Sequence, residues 1–492
     1  MINQPSSQTN QALFRQSGTA FGCIFVAAVC VLTTVANCPI QEKLILSAWM
    51  LVMGIISLWL FNQTAGNPTL NRLATLASIG LTFAYPFKAI LSQCELGEEQ
   101  MRDFFVPPKL FSESLLSAVA YTAGAVVALS LAVTIWRKNR ASKAKKEMQL
   151  NYRSMFFVIG LALLIKFVAQ YILIWGVPNV PSQNNVPFIT GAVAMFVKLG
   201  IFHLINVAIA AAIISRTTNF NYFILGLLVL IYLGLDFGLG SKYSLIYVLV
   251  AGIFSVAIST NQIQFSWQKL TAMALIAFFT MSMYPIIHNY RFAKRRSAGR
   301  TTQQVVMEAV EKAMIRTDQN IVFGSVLSVA KRINGFQNHA AAVLHANSLG
   351  VTWRDMISSS DVTQNYTSAV TGIKHESNAF GITQSGMMAA QCEQSLTKIF
   401  VYSVLLNFSL YIGSVWVFLY VCKNQANWYA IGVSGGLYLV YFQFQGGNLA
   451  VIVKQLIVIS STAYFSNYMF KKKRRRVLYP VSYTHLTLPT KA

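Results

Sequence analysis

Residues 154–176 read SMFFVIGLALLIKFVAQYILIWG and carry one charged side chain, Lys166. A helix rises 1.5 Å per residue, so roughly 20 apolar residues cross a hydrocarbon core of about 30 Å. This stretch is long and apolar enough to span a bilayer, and eleven others read the same way: 19–36, 44–61, 72–92, 115–136, 188–213, 220–235, 243–260, 269–287, 399–421, 428–444 and 448–468. Composition agrees. Only 11% of the 492 residues are charged and 55% are hydrophobic, whereas a soluble domain carries about 25% charged residues. So few charges leave too little polar surface to face water, which excludes a soluble enzyme. The expected fold is all-α: a polytopic integral membrane protein of about 12 transmembrane helices with one large, partly helical external loop.

The domains follow from these spans. Residues 1–287 form a first membrane block of about nine spans, 288–398 a large periplasmic loop, and 399–470 the last three spans. Residues 471–479 form a cytoplasmic basic tail. From about 480 onward the string Val-Ser-Tyr-Thr-His-Leu-Thr-Leu-Pro-Thr (481–490) resembles a translated sequencing-library adapter, so 480–492 is expected to be non-native.

Lys and Arg outnumber Asp and Glu by 39 to 15, and two basic runs set the orientation. One is Arg137, Lys138, Arg140, Lys143, Lys145 and Lys146, after the fourth span; the other is Lys471 to Arg476, after the twelfth. Short basic loops stay cytoplasmic. Eight spans separate the runs, so both can lie inside together. The N-terminus then lies inside too, and residues 288–398 lie outside. Arg291, Lys294, Arg295, Arg296 and Arg300 oppose that sidedness, but long translocated segments escape the charge rule. Within the loop, Val306, Val310, Ala313 and Met314 recur at helical spacing opposite Glu308, Glu311 and Lys312, which predicts an amphipathic helix over 303–317. Six cysteines without a CxxC do not suggest a zinc site; Cys38 and Cys94 fall in the first two external loops, either as free thiols or as a pair.

Ionisable groups at membrane depth are costly and usually functional. Lys88 and Lys454 sit near outer ends and can snorkel. Lys166 lies roughly 16 Å deep, and Lys198 falls at nearly the same depth on the next span. His203 reads as a packing histidine. The nearest carboxylate in sequence is Asp236, at an outer boundary, so the expectation is of two lysines that call for an anion such as phosphate or pyrophosphate.

Three features resemble the bacterial O-antigen and oligosaccharide repeat-unit polymerases. They are the Gly240-Ser241-Lys242 turn between two mid-chain spans, Tyr284-Pro285 followed by Tyr290-Arg291 where the ninth span opens into the large loop, and Lys331-Arg332-Ile333-Asn334-Gly335-Phe336 within it. The resemblance implies a membrane glycosyltransferase at the periplasmic face of the bacterial inner membrane. Such an enzyme moves a glycan from one polyprenyl pyrophosphate onto the lipid-linked repeat unit carried by another, for O-antigen or exopolysaccharide synthesis. It implies no cofactor and metal-independent transfer, with lipid-linked oligosaccharides and membrane lipid as partners, together with a chain-length regulator and a flippase, and no nucleic acid.

Cations aimed at the departing pyrophosphate stabilise the transition state, which assigns catalysis to Arg291 and Arg332, with His339 as the candidate base. Lys242, Asn334, Lys166, Lys198 and Glu376 are the expected substrate-binding residues. Two alternatives remain open, an O-antigen ligase and a lipid-linked oligosaccharide flippase or transporter. A flippase is expected to show two similar halves and short loops, unlike this chain.

Overall fold

The structure is a computed structural model that describes residues 36–62, 68–93, 108–137, 150–175, 189–214, 217–239, 302–315, 335–349, 384–421 and 449–470, with the single positions 34, 106, 186, 286 and 290. The described residues are mostly helical, with no strand among them. In chain order the helices are α1 (Ile40–Asn62), α2 (Pro68–Thr82), α3 (Lys88–Leu91), α4 (Pro108–Arg137), α5 (Tyr152–Phe167), α6 (Ile189–Met195), α7 (Ile201–Ile214) and α8 (Asn219–Gly238). Then come α9 (Thr302–Ile315), α10 (Phe336–Leu349), α11 (Gln384–Gln391), α12 (Leu396–Val421) and α13 (Leu449–Phe470). Among the described residues five stretches are long and apolar enough to cross a membrane: Ile40–Leu60, Pro108–Ile135, Tyr152–Ile172, Asn219–Gly238 and Leu396–Gly413. The expected spans 243–260 and 428–444 lie outside the described residues, as do 19–36 and 269–287 but for positions 34, 36 and 286.

Among the described residues, three spans contain π turns. Phe83–Phe87 joins α2 to α3, Val168–Ile172 extends α5, and Phe196–Gly200 joins α6 to α7. The first contains Pro86, whose missing N–H and ring cannot fit a regular α-helical turn. Widening by one residue lets the helix continue past it.

The first helical group is built around α4, which packs on α1, α2, α10 and α12. Lipid tails are as apolar as leucine, so close backbone approach and hydrogen bonds between helices must hold such a group together. Gly124 supplies the approach: a Cβ there would lie 2.6 Å from the Phe400 carbonyl oxygen of α12. Beside it Ser403 donates to the Tyr121 carbonyl at 2.6 Å, and Asn407 donates back to the Ser403 carbonyl at 2.9 Å. Trp49 donates to Thr122 at 2.9 Å, and Ser57 and Ser78 share a bond of 2.8 Å that ties α1 to α2.

The second group gathers α5, α7, α8 and α13. Asn151 caps α5 by accepting from the Ser154 N–H, while its own N–H donates to the Phe470 carbonyl at 2.7 Å. Ser154 reaches the Met469 carbonyl at 2.8 Å. The start of α5 therefore sits at the end of α13, so the segments that follow Lys146 and precede Lys471 meet at one end of the helices. At the other end of α1 and α3, the Asn37 N–H donates to the Gln93 carbonyl at 2.6 Å. Cys38 there is a free thiol, and Cys94 lies outside the described residues.

The loop helix expected over 303–317 is α9. Its buried positions are Val305 and Ala309, while Val306 is 40% exposed. The packed face is thus rotated by one residue from the stripe that Val306 and Val310 suggested. Both faces carry apolar residues at helical spacing, so periodicity alone does not choose between them.

Candidate functional site

Five consecutive residues of the large loop, Gly335 to His339, dock onto the ends of the first helical group. Gly335 comes first, and it fits only because it lacks a side chain. A Cβ at this position would lie 1.7 Å from the Ala84 carbonyl oxygen, inside the π turn 83–87. Phe336 is fully buried and meets Phe111 edge-on, with centroids 5.3 Å apart. Gln337 accepts from the Lys88 ammonium at 3.0 Å. His339 Nε2 lies 2.7 Å from Ser117 Oγ of α4. The second loop helix, α11, packs against α10, and its Ser385 accepts from Tyr85 at 2.7 Å. Tyr85 in turn leans on Tyr121, with centroids 5.6 Å apart. Together α10 and α11 form a cap over the π turn, α3 and the start of α4.

This geometry changes the expectation for Lys88. A snorkelling lysine keeps its ammonium in water, whereas Lys88 is 2% exposed. The cap covers it, and the Gln337 carbonyl replaces part of its hydration.

His339 is completely buried, and burial pushes its pKa down to about 3, partly opposed by the backbone carbonyls of Ser114 and Ser385. An imidazole held neutral to such low pH is a poor proton acceptor near neutrality. Its place against Ser117 makes it a joint between cap and span, which departs from the role of base expected for it.

Lys166 departs further from expectation. Its ammonium lies 2.8 Å from Asp236 Oδ1, with the two side chains 2% and 9% exposed. The requirement for an external anion disappears at Lys166, because α8 supplies the carboxylate. Asp236 does stand at the end of its helix, as expected, but α8 packs on α5 so closely that the lysine stem reaches it. The Lys166 ammonium also lies 3.5 Å from the carbonyl of Val197, the residue before Lys198. Lys198 belongs to the π turn 196–200, and its side chain lies outside the described residues. His203 is buried in α7, as a packing histidine would be.

Arg291, Arg332, Lys242, Asn334 and Glu376 lie outside the described residues. Two of them have described neighbours in the chain. Tyr290 precedes Arg291, and Gly335 follows Arg332 by three positions. Residues that sequence reading did not select are Tyr85, Ser117, Gln337 and Ser385. A proline within an apolar span next to a lysine, Tyr85-Pro86-Phe87-Lys88, is the signal that marks this region. No family model matches the chain, and no curated protein and no solved structure matches it.

Proposed function

We propose that the chain is a membrane-embedded glycan polymerase that transfers a polyprenyl-pyrophosphate-linked oligosaccharide onto a lipid-linked repeat unit at the outer face. The observation that supports this reading is the docking of Gly335 on the Lys88 region. The docked cap covers the Lys88 ammonium, and a cation there favours the negative charge that develops on a pyrophosphate leaving group. Arg332, three residues before Gly335 in the sequence, is the proposed second cation, since its planar fork suits phosphate oxygens. His339 then serves by holding the cap in place. The acceptor's proton has no assigned base in this reading.

Arg332→Ala is expected to abolish polymer while single repeat units remain on the lipid carrier and protein level is unchanged. Arg332→Lys should restore little, because the bidentate contact is lost even though the charge stays. Normal chain length in Arg332→Ala would overturn the reading. The alternative, a lipid-linked oligosaccharide flippase, draws on the Lys166–Asp236 pair, since paired charges between spans often line transport paths. Loss of a flippase strands the single repeat unit at the inner face, whereas loss of a polymerase leaves it at the outer face. A membrane-impermeant glycan label distinguishes the two.

A further inference from the structure

The cap reaches its neighbouring span through a short turn. The helix α11 ends at Gln391 and α12 begins at Leu396, and among the described residues this is the one covalent link between the cap and a membrane helix. The turn closes α11 as a Schellman motif. The Glu393 N–H donates to the Ala390 carbonyl at 3.3 Å, and the Gln394 N–H to the Ala389 carbonyl at 3.1 Å. Glycine is the usual residue at the first of these positions, because the chain turns left-handed there. Here Glu393 has φ 50° and Gln394 φ 60°, so two consecutive residues with side chains stand in the left-handed region. Both side chains are exposed, so no burial of theirs offsets the strain. Such a conformation persists where its surroundings over-determine it, and α11 is docked on α10 and α4.

The seat of the cap is held by weak latches. Ser117 with His339 and Tyr85 with Ser385 pair neutral groups. The Lys88 ammonium receives from the cap a neutral amide oxygen, that of Gln337, where a carboxylate would cancel its charge. Ser114, whose carbonyl faces His339, is fully buried, and its Oγ makes no hydrogen bond. A hydroxyl closed off in this way loses its water and gains nothing in return. The docked state thus carries strain at the turn and an unsatisfied group at the seat, and both favour release.

We propose that α10 and α11 form a lid that swings on Glu393 and Gln394, and that its opening uncovers Lys88, Ser114 and Ser117 to water. Hinges of this kind are a few residues at the ends of elements that absorb a change in φ and ψ. That the uncovered ammonium then receives the donor's pyrophosphate rests on the polymerase reading; the hinge does not.

The test places a single thiol under the lid. In the full chain with its six cysteines replaced by alanine, Ser114→Cys keeps nearly the same shape, and a bulky maleimide reaches it only when the lid is open. Met307→Cys, at a site 64% exposed on α9, gives the unhindered rate. The thiol at position 114 should react to completion but more slowly. Glu393→Gly relieves the strain of the docked turn and should slow this labelling roughly fivefold. Glu393→Val, whose branched side chain tolerates that φ poorly, should speed it. Gln337→Glu gives the ammonium a carboxylate and should also slow it. If Glu393→Val fails to fold, the other two substitutions still decide. No reaction at position 114 in the parent while position 307 reacts overturns the lid, and equal rates at the two positions overturn the closed seat. A rate unmoved by Glu393→Gly overturns the hinge, and one unmoved by Gln337→Glu removes Lys88 from what the lid covers. If labelling behaves as expected but Lys88→Met makes normal polymer, the lid stands and the pyrophosphate ligand falls, along with the reading that supplied it.

Discussion

Gly335 and His339 show how two loop residues hold the cap by opposite means, one by the absence of a side chain and one by its burial. Gly335→Ala sets a methyl group against the Ala84 carbonyl, and overpacking of this kind costs about 1–3 kcal/mol. The expected outcome is a cap that opens, seen as faster proteolysis between α9 and α12 together with loss of polymer. His339 makes the same contact sensitive to acid. Its folded pKa of about 3 lies below the ordinary histidine value. The unfolded or undocked state therefore binds more protons between about pH 6.5 and 3. Cap stability is complete above that window and falls on acidification, by at most ~1.4 kcal/mol per pH unit. Protease sensitivity rising as pH drops through 6 in the parent, and a flatter profile in His339→Gln, is the measurable consequence. Little of this was legible in the sequence. Gly335 was noticed only as part of a resemblance, and nothing in a linear string places Ala84 beside it. Lys166 gives the contrasting case: its depth could be counted from 1.5 Å per residue, but its partner depends on which helices are neighbours.

Among the elements, the π turns account for what a span count leaves out. Lys88 directly follows the turn 83–87, Lys166 stands two residues before the turn 168–172, and Lys198 lies within the turn 196–200. A π turn lengthens the hydrogen-bonded loop by one residue, which leaves backbone carbonyls less fully used and available to an ammonium. The Val197 carbonyl facing Lys166 is the observed instance. The insertion also rotates everything that follows by about one residue's worth of helix, near 100°. Deleting Phe83 should therefore regularise the helix and turn Lys88 away from Gln337, with loss of polymer at unchanged expression. Restored polymer on adding Ala elsewhere in the turn would confirm that register, and not the phenylalanine ring, is what matters. Hydropathy made the described spans legible, because burying an uninterrupted apolar run is a local property. It was silent about π turns, which arise where packing across helices outweighs ideal hydrogen bonding. The face of α9 was misplaced for a related reason: its apolar residues cover more than one stripe, and the neighbour decides which stripe is buried.

At the scale of the whole molecule, the contacts that join helix ends among the described residues fall into two sets. Asn37 with Gln93, Lys88 with Gln337, Ser117 with His339, and Tyr85 with Ser385 join helix ends on the side of the large loop. Asn151 with Phe470 and Ser154 with Met469 join ends next to the two basic runs. Tyr171 with Leu235 lies at the far end of α5 from Asn151, as the first set requires. The parity read from Lys and Arg alone demands this pairing, since an even number of spans between the runs returns the chain to the same side. Among the described residues, the contacts place the start of α5 beside the end of α13. α8 extends to Gly238, and Tyr171, which bonds its Leu235 carbonyl, has Tyr290 as an electrostatic neighbour at the start of the loop. The corresponding prediction uses a reporter active only outside the cytoplasm. Fused after residue 350 it should be active, and fused after residue 145 or after residue 476 it should be silent. Activity at 145 with silence at 350 would invert the molecule and put the capped lysine on the inner face, where an outer-face polymerisation cannot use it. Equal activity at 145 and 350 would break the pairing of helix ends, because Lys88 and Asn151 would then share a side.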